Sequence, residues 1–262
     1  YTLKKISRLI KISRYVHELS ITEVLAKYRV SPFGPFWIVA SNILIISGLY
    51  MVYSRLLSNQ GVNYMSYLSV GIISWNLIVL TLTESCKVFE RYREILYNFK
   101  GPLWILVIST IYVNFILWIH NLPFLLIVYI MNSNNLFYVL SQIIFTTIGA
   151  ISGMIILTPF CLLISGYSII YKDLHQGIIV LLQCLLFVTP VLWNPQDNSK
   201  FISLIVNINP FAYLLKIFRA GLEPSLSILI YMFISSIISL LIVNLIMKSN
   251  INPISRKLIK KL

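Results

Sequence analysis

The side chains that could take part in acid–base or metal chemistry are few in this chain of 262 residues, and they avoid its long apolar tracts. No Asp, Glu, Lys or Arg occurs between Lys100 and Lys172, and the histidines at 17, 120 and 175 are scattered. A hydrolase needs a nucleophile beside a base or paired carboxylates, and a metal site needs grouped ligands. Neither arrangement is visible, and there is no phosphate-binding Walker A sequence. The sequence therefore predicts no catalytic residue, no metal site, no cofactor in this chain, and a protein that is not an enzyme.

Charged side chains gather instead in short segments between the apolar tracts. The most charged segment, 84–100, also carries an apolar stripe formed by Val88, Tyr92, Ile95, Leu96 and Phe99. This pattern predicts an amphipathic helix over 87–99, outside the bilayer. A one-faced stripe suits a protein partner and a lipid surface equally well, so both remain open.

The composition requires a membrane protein. Hydrophobic residues make up 58% of the chain and charged residues 11%, whereas about a quarter of a soluble domain is charged. A long tract without charge suits a bilayer, because a charge at its centre costs several kcal/mol. The apolar runs are continuous rather than alternating, which excludes a membrane β-barrel. The predicted fold class is an all-α integral membrane protein.

Six apolar segments reach roughly the 20 residues that a membrane-spanning helix needs. The third is expected to bend at Asn121-Leu-Pro123, and the long fourth segment to tilt, protrude or bend near Pro159. The predicted spans are 36–57, 64–82, 102–131, 136–170, 177–193 and 226–247. The predicted division of the chain is an interface region at 1–35, a transmembrane domain at 36–247 that includes the loop at 84–100, and a basic tail at 248–262.

The segment 194–224 differs from the spans because its two apolar pieces, 201–207 and 211–220, are each too short to cross a bilayer. The Asn209-Pro210 pair separates them. The pattern predicts a re-entrant helical hairpin, since a break at membrane depth persists only beside protein or water.

The N-terminal region is expected to lie on the membrane surface. Lys4, Arg8 and Lys11 recur at helical spacing, which favours either contact with anionic lipid or a solvated tail. Ser20 and Glu23 fit a capping box, so we expect a helix to start at Ser20 and to end at Ser31-Pro32. The turn that follows contains Pro32, Gly34 and Pro35, and these three residues predict a stiff hinge into the first span.

The distribution of basic residues predicts the orientation. An even number of spans places both termini on one side of the membrane. If that side is the cytoplasm, few of the 21 Lys and Arg residues lie outside, namely Arg55, Lys200, Lys216 and Arg219. The positive-inside rule therefore predicts a multi-pass protein with both termini in the cytoplasm. The same rule accounts for the net charge of +13. The basic composition therefore needs no nucleic-acid partner to explain it, and none is predicted.

Five motifs, in order along the chain, resemble those of type-2 ABC exporter permeases. They are AKYRVSPFGPFW at 26–37, LYNFKGPLWIL at 96–106, IIYKDLHQ at 169–176, LLFVTPVLWNP at 185–195 and NINPFAYLLKIFRAGL at 207–222. Two departures from the family pattern are Pro32-Phe33 in the first motif and Lys172 in place of an arginine in the third. The chain is most similar to the permeases of polysaccharide exporters that serve O-antigen, and teichoic acid and capsule exporters are relatives.

The resemblance implies a function and partners. Two permease chains would form one pore in the bacterial cytoplasmic membrane, and two copies of a separate cytoplasmic ATPase would bind ATP and Mg beneath it. The cargo would be a polysaccharide linked to undecaprenyl pyrophosphate. The residues that would couple to the ATPase are Val88, Glu90, Arg91, Tyr92 and Arg93, with Lys172, Asp173 and Leu174 as a second contact.

Further residues have expected roles on this reading. An external gate would include Asn209, Pro210 and Arg219. Lys27 and Arg29 suit either the lipid pyrophosphate or lipid headgroups. Aromatic residues suit a sliding sugar polymer, although an ordinary interfacial belt explains them too; the candidates are Tyr50, Tyr53, Phe187 and Trp193. Two other functions stay open: a small-molecule exporter of the same fold, and an intramembrane glycan-processing enzyme that would have only Asp197 and Glu223 as outer acids.

Overall fold

The computed structural model describes residues 2–56, 64–98, 101–194, 200–222 and 224–248, and all regular structure in them is helical. The predicted all-α class is therefore confirmed. The helices are α1 (Thr2–Tyr28), α2 (Phe36–Leu56), α3 (Tyr64–Cys86), α4 (Val88–Arg91), α5 (Arg93–Asn98), α6 (Trp104–Ile119), α7 (Leu122–Asn132), α8 (Leu136–Ser168), α9 (Leu174–Val188), α10 (Lys200–Ile208), α11 (Pro210–Phe218) and α12 (Leu226–Lys248).

Four helices among the described residues are long and apolar enough to cross a membrane, namely α2, α3, α8 and α12. A fifth crossing is formed if α6 and α7 count as one span, because they follow each other with a bend of 41°. The bend lies at His120-Asn121, directly before α7, which has Pro123 in its first turn. The predicted break in the third span is confirmed, and the chain is a multi-pass membrane protein.

The fifth predicted span, 177–193, contains a helix that is shorter than a usual span, and its crossing of the membrane stays a prediction. Helix α9 has 15 residues, so it is only about 22 Å long. It ends at Thr189, whose backbone is extended at φ −87° and ψ 139°. Pro190 imposes this ending, since the residue before a proline is driven out of the α region.

Helices α3 and α8 form the centre of the bundle. Helix α8 packs against α12, α3, α11, α6 and α7, and α3 packs against α6, α9 and α2 as well. Helix α8 continues through Pro159 for 33 residues, more than a bilayer requires. A Cβ on Gly153 would lie 2.5 Å from the ring of Phe218, so glycine at this position admits the α11 side chain into the core.

Helix α1 does not start at Ser20. It runs unbroken from Thr2 to Tyr28, and the Ser20 hydroxyl donates to the carbonyls of Val16 at 2.7 Å and Ser109 at 3.1 Å. The predicted capping box is therefore wrong. Inside a helix, a serine hydroxyl can donate to a carbonyl of the preceding turn, as Ser20 does here. The side chain of Ser20 is buried where α1 packs against α6.

A tight turn joins α1 to α2. Gly34 has a φ of +53°, in the left-handed region that favours glycine. Its N–H donates to the Ser31 hydroxyl at 3.1 Å, and α2 begins at Phe36, directly after Pro35.

The hairpin segment forms two short helices, α10 and α11, separated at Asn209-Pro210 as the sequence indicated. Its membrane depth and side stay predictions. Residues 195–199 and Glu223 of the predicted hairpin, and residues 249–262 of the predicted basic tail, lie outside the described residues.

Candidate functional site

Four charged side chains and one phenol tie α1 to the end of α3 and to α4. We call Glu23, Lys27, Glu84, Arg91 and Tyr92 the charge cluster. One guanidinium nitrogen of Arg91 lies 2.7 Å from a Glu23 oxygen and 3.3 Å from a Glu84 oxygen. The other Glu84 oxygen lies 3.2 Å from Lys27 Nζ. The Tyr92 hydroxyl donates to the second oxygen of Glu23. Two carboxylates are thus held between two cations and a phenol.

The electrostatics of the charge cluster favour its paired state. Burial opposes the charge on Arg91, but the carboxylates of Glu84 and Glu23 outweigh burial and raise the pKa of its guanidinium. Burial and the hydrogen bond to Glu23 raise the pKa of Tyr92. Burial and the charge of Glu84 likewise raise the pKa of Tyr28. Arg91 therefore stays charged and Tyr92 stays a donor at any physiological pH.

Two short helices, α4 and α5, replace the single helix predicted over 87–99. The break is at Tyr92, whose backbone lies at φ −94° and ψ 19°. Val88, Phe89 and Tyr92 are buried. Side chains on the other face are exposed and charged: Lys87, Glu90, Arg93 and Glu94. The segment thus has an anchored face and a free charged face.

This arrangement divides the predicted coupling residues into two sets. One set makes contacts within the chain: Val88 and Tyr92 are buried, and Arg91 is paired with Glu23 and Glu84. These side chains could contact a partner only if those intramolecular contacts were broken. Glu90 and Arg93 are exposed, and neither takes part in an ion pair among the described residues. The sequence alone did not separate the sets, because the partner of Arg91 lies 68 residues away in the chain.

The turn before α9 carries the second set of predicted coupling residues. Partial burial and the charge of Lys87 lower the pKa of the neighbouring His175, while Glu90 opposes the shift. Lys172 and Asp173 are exposed in this turn and Leu174 is half-buried. The role of this turn as a second coupling contact stays a prediction.

The two candidate phosphate-binding cations differ. Lys27 is paired with Glu84, whereas Arg29 is exposed in the turn after α1. Among the hinge residues that follow, Pro32 is exposed, and Gly34 and Pro35 are half-buried.

Arg219 is buried at the end of α11, with 8% of its surface exposed, although the sequence counted it as an outside topological charge. Its guanidinium donates to the carbonyls of Pro190 at 2.7 Å and Val191 at 3.0 Å. It also lies 3.5 Å from the centre of the Tyr67 ring. These contacts were not predictable from the sequence, because the two carbonyls become available only where α9 ends before Pro190.

Asn209 connects the same regions. Its amide nitrogen donates to the Thr189 hydroxyl at 2.8 Å, and its amide oxygen accepts from the N–H of Phe211 at 2.9 Å and caps α11. Pro210 occupies the first position of α11 and is exposed. The residues predicted for an external gate therefore fasten the hairpin to the end of α9 and, through Arg219, to α3.

The four aromatic candidates form two local contacts. Tyr50 stacks on Tyr64 with ring centres 6.2 Å apart, and Tyr53 is half-buried against the core. Phe187 is 71% exposed, and its carbonyl accepts from the indole N–H of Trp193 at 3.2 Å. Their part in a substrate path stays a prediction.

A buried chain of asparagines was missed by the sequence reasoning. Asn76 donates to Asn42 at 2.8 Å, and Asn42 donates to Asn121 at 2.8 Å. The chain joins α2 and α3 to the bend between α6 and α7. A signal was present, since amide side chains inside apolar spans usually bond across helices.

A search of protein-family models finds no match. Two curated proteins of Klebsiella pneumoniae, both called O-antigen export system permease protein RfbA, are similar to the chain. One is 23% identical and the other 20% identical, each over 200 residues that cover 75% of this chain and 75% of the relative. The recognition made from the five sequence motifs is thereby confirmed, since the chain is similar to permease proteins of O-antigen export systems.

Proposed function

We propose that this chain is the pore-forming subunit of an ABC exporter that moves a lipid-linked polysaccharide of the O-antigen type across a bacterial cytoplasmic membrane. It acts as a homodimer, and two copies of a separate ATPase subunit supply the energy. The names of the two relatives and the order of the motifs support the cargo and the partner. The cargo is carried on undecaprenyl pyrophosphate, as the resemblance implies.

The observation that carries the proposal is the two-faced segment formed by α4 and α5. Its exposed charges, Lys87, Glu90, Arg93 and Glu94, can pair with charges on an ATPase surface. Its buried residues and Arg91 attach it to the rest of the chain. Because the apolar face of this segment is buried against the rest of the chain, it is not available to lipid, and the charged outer face is left for a partner.

The charge cluster provides a route by which a partner can move the membrane spans. A displacement of α4 is transmitted to α1 through the Arg91–Glu23 contact, and to the end of α3 through Glu84. Helix α1 passes the movement to the turn at 29–35 and then to α2. The Pro32, Gly34 and Pro35 turn acts as the stiff joint. Coupling of this kind requires an element that both the ATPase and the pore can bias.

The cargo is guided by two kinds of contact. Arg29, the exposed cation of the AKYRVSPFGPFW motif, receives the lipid pyrophosphate, and Lys27 adds positive charge nearby while paired with Glu84. Aromatic rings give sugars weak contacts that permit sliding; Tyr50, Tyr53, Phe187 and Trp193 serve this purpose. The hairpin fastened by Asn209 and Arg219 closes the external mouth of the pore.

The test is a double charge reversal on the exposed face, Glu90→Lys with Arg93→Glu, in the chain copurified with its ATPase subunit. We expect the variant to fold normally, to retain less ATPase, and to lose transport-linked ATP hydrolysis. Lys216→Glu is the matched control, since Lys216 is exposed at the end of α11 and interacts with Tyr213 rather than with α4. Full ATPase binding and hydrolysis in the double variant would overturn the docking proposal.

A further inference from the structure

A groove lies between residues 10–17 of α1 and Tyr112 of α6. The transport proposal assigns it no role, and it lies outside the five motifs. Its volume is about 510 Å³, and it is lined by Ile10, Ser13, Arg14, Val16, His17 and Tyr112; we call it the interface groove. This volume lies within the range of pockets that hold small ligands.

The lining is polar on one part and apolar on the other. Arg14 supplies a guanidinium, and Ser13 supplies a hydroxyl. His17 Nδ1 and the Tyr112 hydroxyl lie 3.2 Å apart and are hydrogen-bonded, which joins the α1 wall of the groove to the α6 wall. Ile10 and Val16 add apolar surface. A matching ligand has a charged end beside an apolar body.

The positive charge of Arg14 indicates that the charged end of the ligand is an anion. Arg14 is exposed and takes part in no ion pair among the described side chains, whereas Lys27 and Arg91 are both occupied by carboxylates. A guanidinium with available donors binds phosphate oxygens well, because its planar set of N–H groups can reach two oxygens at once.

The position of the groove indicates what the apolar part of the ligand is. Helix α1 packs along α6 in the opposite direction, since Ser20 contacts Ser109 and His17 contacts Tyr112. Helix α6 belongs to the bent membrane span. The groove therefore lies on the flank of a span beside a basic helix, and such a helix attracts anionic phospholipid headgroups.

The geometry points to the interface groove as a binding site for the phosphate of an anionic phospholipid, with Arg14 as its main charge partner. Ser13 and the His17–Tyr112 pair offer hydrogen bonds to the headgroup, and Ile10 and Val16 contact the start of the acyl chains. The bound lipid holds α1 against α6 from the membrane side, complementing the Ser20 contact on the protein side.

The test uses the purified full-length chain in neutral detergent, titrated with dioctanoyl phosphatidylglycerol and, separately, with dioctanoyl phosphatidylcholine; native mass spectrometry gives the bound fraction. We expect one phosphatidylglycerol to bind well above phosphatidylcholine. Arg14→Gln should weaken that binding about tenfold, as expected for loss of one charge-assisted contact. Lys11→Gln is the matched control, because Lys11 is exposed on the same helix but does not line the groove.

Three outcomes contradict the proposal. Equal weakening by Lys11→Gln and Arg14→Gln would mean diffuse attraction to a basic helix. Displacement of the lipid by millimolar inorganic phosphate would mean a free-anion site. Displacement by a polyprenyl pyrophosphate at lower concentration than phosphatidylglycerol would assign the groove to the cargo lipid.

Ser13→Glu is a second variant that keeps the measurement decisive if Arg14→Gln fails to fold. Its carboxylate should repel the phosphate and lower phosphatidylglycerol binding at least as much as Arg14→Gln. Unchanged binding in this variant would refute the site. The measurement needs neither ATPase nor polysaccharide, so its result is independent of the transport proposal.

Discussion

Replacing Arg91 by Gln removes the cation that two carboxylates share, and Arg93→Gln is the matched change two residues away. Arg91 contacts Glu23 at 2.7 Å and Glu84 at 3.3 Å, and its side chain is 30% exposed while theirs are 16% exposed. Arg93 is exposed and forms no ion pair among the described residues. The two variants lose the same charge but different contacts.

The magnitude follows from partial burial. A fully exposed ion pair contributes about 0–1 kcal/mol, and a hydrogen bond to a charged group roughly 1.5–3 kcal/mol. The Arg91 contacts lie between these limits because water still reaches all three side chains. We expect Arg91→Gln to lower the free energy of unfolding by about 2 kcal/mol, including the repulsion left between Glu23 and Glu84. Arg93→Gln should change it by less than about 0.5 kcal/mol.

The assay is thermal unfolding of the purified chain in one detergent, followed by far-ultraviolet circular dichroism. In a domain of this size 1 kcal/mol corresponds to about 2–4 °C, so Arg91→Gln should lower Tm by about 4–8 °C. A double-mutant cycle with Glu23→Gln should then show coupling of about 1 kcal/mol. Equal Tm values for the Arg91 and Arg93 variants, or a cycle with no coupling, would refute the role given to the charge cluster.

Four further variants test the packing on which the site depends, each measured by thermal unfolding. Gly71→Ala should destabilise the chain by about 2 kcal/mol, because its Cβ would collide with the Arg219 guanidinium; an unchanged Tm would contradict that contact. Gly34→Ala should cost only about 1 kcal/mol, because its φ of +53° strains a residue with a Cβ although no atom lies near it. A larger loss of stability than for Gly71→Ala would contradict the open space around Gly34. Asn42→Leu should cost about 1 kcal/mol for two interhelical hydrogen bonds, and a stabilised variant would show that the chain of asparagines contributes nothing. Tyr92 has a raised pKa, so its contribution is complete below about pH 10, the pKa of an unfolded tyrosine, and is lost as pH rises towards its folded value; the Tm gap between wild type and Tyr92→Phe should narrow above pH 10, and a gap that widens would refute the bond to Glu23.

Features with local causes were predictable from the sequence. Apolar length and the absence of charge located the spans that the structure supports, and proline marked the bend at Pro123 and the break at Pro210. The helix in the fifth predicted span ends earlier than predicted for a local reason as well, since Pro190 stops α9 after 15 residues. The continuous apolar composition of 177–193 hid that stop.

The site was predictable only as a list of residues, because its contacts depend on tertiary structure. Glu23 fitted a capping box with Ser20 three residues away, but its actual partner is Arg91. From the sequence, Arg219 was counted as a charge outside the membrane, whereas in the structure it is bound by the carbonyls that follow α9. Local periodicity shows which residues share a face and does not show what that face meets.

Export itself can be measured as ATP-dependent movement of an undecaprenyl-pyrophosphate-linked polysaccharide across the membrane of vesicles that hold this chain with its ATPase subunit. We expect the glycan to become accessible to a lectin on the far side only with ATP. The Glu90→Lys, Arg93→Glu variant should abolish this movement, while Lys216→Glu should not. Glycan that stays on its original side with ATP present, together with an ATPase rate that the chain leaves unchanged, would refute the proposed export function.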